Sequence, residues 1–180
     1  MSTDNLDAAL TFVIETLEDL SVNEQEPAGV GGISKGGVTL YDYADFCRLK
    51  GLPAPTKDTI RNLTEDQIRS VYAEQFAVPL RFAELPSGVD SAVLCFSVQA
   101  GITGGIRLLS LATGFWPIPI AMSDALVAHV ATIDPRVVIG GIAGAWASNK
   151  YDVGNWPKWG HGWSNRVLKQ FAYSLPQVKS

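Results

Sequence analysis

Cysteine is scarce in this chain of 180 residues: Cys47 and Cys95 are the only two. They are too few for a disulfide framework or for a zinc site made of thiolates. Charge is sparse as well, at 18 % of residues, and fourteen Lys and Arg face eighteen Asp and Glu for a net charge of −4. That balance argues against a nucleic-acid binder held by phosphate contacts. The two histidines, His129 and His161, supply no recurrent metal-ligand spacing, so no metal and no cofactor is expected. Long apolar runs are missing too. The most apolar stretch, Val137 to Ala147, falls well short of the roughly 20 residues a membrane helix needs. The start, Met1 to Asp7, is acidic where a secretory signal would be basic and then apolar. The expectation is a soluble chain synthesised in the cytoplasm, without membrane insertion.

What is present is a globular composition, 47 % apolar with 17 Gly and 10 Pro, and a pattern of helix after helix. Leu6, Leu10, Val13, Ile14, Leu17 and Leu20 recur at helical spacing and predict an amphipathic helix over 4–20. Residues 40–50 read as a helix stopped by Gly51 and Pro53. Thr64-Glu-Asp-Gln67 is a capping box that opens a helix to about Phe76. An apolar helix through Gln99 ends at Gly101, and a further one runs from about Thr103 to Ala112 before Gly114. Helices follow near 123–131, 135–149 (with Asp134 as N-cap and Pro135 in first position) and 162–173. Without convincing β alternation, the fold class is all-α.

The first helix carries the best candidate for acid–base chemistry. At about 100° per residue, Glu15 falls on the water side, roughly 170° from the apolar stripe. Glu18 falls about 110° away, at the edge of the stripe and near the helix C-terminus. A partly desolvated carboxyl near the negative end of the helix dipole has the setting of a general acid. An ordinary surface glutamate fits the same spacing. The glycine-rich segment Gly29 to Gly37 matches neither common phosphate-binding pattern, and a turn permitting close approach explains it more economically. No G-x-S-x-G elbow is present.

Charge is uneven along the chain: residues 1–30 hold seven acidic groups and no Lys or Arg, whereas residues 151–180 hold Lys158, Arg166, Lys169 and Lys179 against Asp152 alone. Near the end, Trp156-Pro-Lys-Trp-Gly-His-Gly-Trp163 gathers three tryptophans around His161. Such rings beside cations suit stacking on sugars, or alternatively fill a helix seam.

The order of four segments resembles glycoside hydrolase family 108, the phage and bacterial N-acetylmuramidases. These are Gly32-Ile-Ser-Lys35, Asn62 to Phe76, Leu85-Pro-Ser-Gly88 with Ala92 to Gly101, and Lys158 to Val167. The resemblance implies a lysozyme-like, all-α catalytic segment over 1–101 and a small helical, peptidoglycan-binding-like segment over 102–180, together one compact unit. It also implies cleavage of the MurNAc-β-1,4-GlcNAc bond. In the family, the catalytic Glu ends the first helix in an E-G-G-Y motif, and a D-x-G-G-x-T loop follows. Glu18 matches that Glu, although a gap-free count back from Gly32 selects Glu15. Glu26 stands in for the loop Asp as second carboxylate. Asp19 and Leu20 replace the two glycines, the loop Thr is absent, and Cys95 and Gln99 replace an Asp and an Asn. Lys158, Trp159, His161, Trp163 and Arg166 form the candidate glycan-contact set. The partner implied is bacterial peptidoglycan, reached through a holin-type pore or from a virion alongside phage structural proteins. The alternative is a catalytically degenerate fold that binds peptidoglycan or serves as a structural virion component.

Overall fold

The computed structural model describes the backbone of residues 3–151 and 156–178; side chains of residues 3–4, 149–151, 156–159 and 163 lie outside the description. The chain divides into two compact units, Asp7–Phe76 and Met1–Leu6 with Ala77–Ser180.

The unit Asp7–Phe76 contains most of the first helix, α1 (Thr3–Phe12), which continues as a π-helical stretch over Val13–Glu18. Three two-residue strands follow, β1 (Val22–Asn23), β2 (Ser34–Lys35) and β3 (Val38–Thr39). They pair antiparallel in the order β1-β2-β3, with Asn23 opposite Ser34 and Lys35 opposite Val38. This sheet is absent from the sequence reading because two residues are too short to display an alternation. Helices α2 (Leu40–Lys50), α3 (Lys57–Arg61) and α4 (Glu65–Tyr72) complete the unit. The Thr64–Gln67 capping box forms as expected, and Gly51 ends α2 at φ 67°. Helix α3 opens on a Thr56–Thr59 box, which escapes a search for Glu or Gln at the third position. Ile14, Ile33, Val38, Ile60, Ile68, Val71 and Tyr72 are buried in the core.

The second unit is built on α5 (Val89–Thr113), α6 (Asp124–Val130), α7 (Pro135–Tyr151) and α8 (Trp156–Ser174). Asp134 caps α7 by accepting the Arg136 backbone N–H at 2.9 Å. The break expected at Gly101 is present: at φ 73° and ψ 168° this residue is non-helical and separates two helices within the Val89–Thr113 span. By length and composition the whole Val89–Thr113 span could cross a membrane, but it is broken at Gly101. Its side chains instead supply much of this unit's core, including Leu94, Phe96, Ile106 and Leu109. Phe96 meets Trp146 of α7 with ring centroids 5.6 Å apart. The helical fold class expected from the sequence is the one observed, with a small three-stranded sheet added in the unit Asp7–Phe76.

Candidate active site

The first helix does not finish as an α-helix. Its last turn, Val13–Glu18, widens to π geometry, a rare form that recurs at functional sites. Val13, Ile14 and Leu17 remain buried, Glu15 is exposed and Glu18 is half-buried. The wheel reading therefore places both glutamates correctly but fails for Leu20, which lies beyond the helix and is 40 % exposed. Asp19 turns the chain out of the helix at φ 54° and ψ 171°. That backbone region is used almost entirely by glycine. The Asp19 carboxylate accepts the Ser21 backbone N–H at 2.6 Å.

Gly36 and Gly37 form the two-residue loop between β2 and β3, with φ at 54° and 76°. Positive φ at both positions is what a type I′ hairpin requires. Tyr72, 1 % exposed at the end of α4, donates its phenolic hydrogen to the Gly36 carbonyl at 2.7 Å. A Cβ on Gly37 would stand 2.8 Å from Glu18 Cγ and 2.9 Å from its Cδ, and closer still to the Tyr72 hydroxyl. On Gly36 it would stand 3.0 Å from Ile68 Cδ1 and 3.5 Å from the Asp19 carbonyl. The Glu18 carboxyl is thus seated against the hairpin tip, in space that exists because residue 37 has no side chain.

Glu26 belongs to the other end of the same hairpin. Its half-buried carboxylate accepts from Ser34 Oγ at 2.8 Å and from Asn23 Nδ2 at 2.9 Å. Ser34 and Asn23 are cross-strand partners, so one rung of the sheet supplies both donors. Ser34 and Gly37 are three residues apart, a length of chain that spans at most about 10 Å. The hairpin therefore gathers the anchors of both candidate carboxylates. Beyond it, Arg61 pairs with Glu24 at 2.7 Å, and this guanidinium holds the Glu24 carboxyl below its ordinary range.

The candidate glycan set lies on α8, in the other unit. His161 is exposed and Arg166 half-buried, while the Lys158, Trp159 and Trp163 side chains fall outside the described residues. Sequence reasoning did not single out Tyr72, Ser34 or Asn23 for the site. The signal for the hairpin was available: Gly-Gly between Lys35 and Val38 is a strong two-residue turn pattern.

Residues 19–101 match the family model of glycosyl hydrolase 108. The match opens at Asp19, immediately after Glu18, and takes in the hairpin, Glu26 and Tyr72. Among solved structures, Brucella abortus SagA is similar with a TM-score of 0.85 and 20 % sequence identity. That likeness covers 99 % of this chain and 98 % of the other, and at this identity it shows the shared fold. No curated protein matches the chain.

Proposed function

We propose that this chain is a peptidoglycan hydrolase, an N-acetylmuramidase that cleaves the MurNAc-β-1,4-GlcNAc bond. The observation that carries the reading is the seat of Glu18, half-buried against the glycine hairpin and followed at once by a positive-φ residue. The family motif has glycine at that following position, whereas the residue after Glu15 is still inside the π turn. This favours Glu18 over Glu15 as the matching acid. The family match over residues 19–101 supports the same chemistry.

In this reading Glu18 gives its proton to the bridging oxygen as that oxygen leaves, while positive charge grows on the sugar ring. Glu26 is the second carboxylate. Held by Ser34 and Asn23, it stabilises the growing charge or activates the attacking water. Lys158, Trp159, His161, Trp163 and Arg166 are the proposed glycan contacts on α8, and holin release or virion delivery brings the chain to the wall.

The test is Glu18→Gln assayed on purified sacculi for release of reducing ends. General-acid loss should lower the rate by about 10²- to 10⁴-fold with the circular dichroism spectrum unchanged. Full activity would remove Glu18 from the mechanism. A parent protein that binds walls yet releases no reducing ends would establish the alternative, a binding module that does not cut.

A further inference from the structure

We infer that Tyr72 is a positioning residue for Glu18, acting through the glycine hairpin; the inference rests on the reading of Glu18 as the acid. A phenol that is 1 % exposed must find a hydrogen-bond partner inside the protein. Tyr72 finds one in the carbonyl of Gly36. That bond ties the turn of a hairpin whose strands are only two residues long to the end of α4. With so few ladder bonds of its own, the tip depends on outside contacts for its position.

The same tip is the surface on which Glu18 rests. One point, the missing Cβ of Gly37, is faced by the Glu18 Cγ and Cδ atoms and by the Tyr72 hydroxyl. Ile68, one helical turn before Tyr72, closes on Gly36 from the same helix. Tyr72 is held in turn by Phe76, whose ring centroid lies 5.6 Å away. The order of constraint therefore runs from α4 to the hairpin tip and from the tip to the carboxyl. Tyr72 itself donates no proton to substrate in this scheme. Its role is to keep the Glu18 carboxyl in one place, and misplacing a reacting group by about 1 Å can cost up to 10²-fold in rate.

Tyr72→Phe removes one oxygen and keeps the ring. In the full chain it should lower kcat on soluble glycan fragments by about 10- to 100-fold while KM stays within about twofold. The 13C resonance of the Glu18 carboxyl, identified by its loss in Glu18→Gln, should move at fixed pH. A lowered melting temperature with unchanged kcat and an unmoved resonance would make Tyr72 a packing residue and overturn the inference. If the parent chain hydrolyses nothing, the proposed function fails, and the resonance still decides the positioning role. Gly37→Ala, which forces a methyl between the phenol and the carboxyl, is the second variant and should move the same resonance. Failure of both variants to fold would count against the inference, since it would make the contact a requirement of folding.

Discussion

Replacing Asp19 in parallel by glycine and by alanine isolates the strain at the residue after Glu18. Both variants lose the 2.6 Å bond to Ser21 N–H, so that loss cancels between them. What remains is the penalty of a Cβ at φ 54° and ψ 171°, about 1–3 kcal/mol for a region used almost entirely by glycine. Against this stands the larger backbone entropy that glycine loses on folding, about 0.5–1 kcal/mol. The glycine variant should therefore be more stable than the alanine variant, by up to about 2.5 kcal/mol. For a chain of this size each kcal/mol is about 2–4 °C in Tm, a difference that thermal melts followed by circular dichroism resolve. Urea titration, with unchanged slope in both variants, would confirm that folded-state strain is being read. An alanine variant equal to or more stable than the glycine variant would refute the backbone assignment. With it would go the argument that this position corresponds to the first glycine of the family motif.

Two further predictions concern the other unit. Gly88 sits at φ 87°, and a Cβ there would lie 2.6 Å from the Ser174 carbonyl. Gly88→Ala should destabilise the protein by about 2–3 kcal/mol or more in urea titration, and a change below about 0.5 kcal/mol would show that this close approach is not maintained in solution. Asp90 is 5 % exposed and accepts from the Gly88 and Ser91 backbone N–H groups, the Ser91 hydroxyl and the Asn5 amide. Burial raises its carboxyl above the ordinary value of 3.8, opposed by these bonds. A raised folded value means that Asp90's contribution is full below the unfolded value and is lost as pH rises through the folded one. Asp90→Asn should abolish that loss, so the Tm of the parent minus that of the variant should fall as pH rises above 3.8. A rise across the same window would contradict the sign.

Much of the helical frame was readable because its signals are local. Thr64 and Gln67, Asp134 and Pro135, and Gly51 each act on backbone groups within four residues. The Gly101 boundary was equally local, and a non-helical backbone at that residue separates the two helices expected on either side of it. The half-buried placement of Glu18 was also reachable, because Val13, Ile14 and Leu17 keep their side of the helix buried through the π turn. Leu20 was misread for the same local reason: a periodic argument has no means of sensing that the helix has already ended.

The site itself obeys a different rule. Glu18, Gly37 and Tyr72 are separated by nineteen and thirty-five residues along the chain, and no periodicity links them. Their convergence follows from hairpin pairing and from the burial of α4 against the turn, which are long-range events. Glu26 likewise acquires its partners only when Asn23 and Ser34 become opposite residues of one sheet. Residue types and short spacings settle which backbone groups are capped and where helices stop, because those energies are local. Which carboxyl is sheltered, and by what, depends on packing between segments distant in sequence, and only folding in three dimensions decides it.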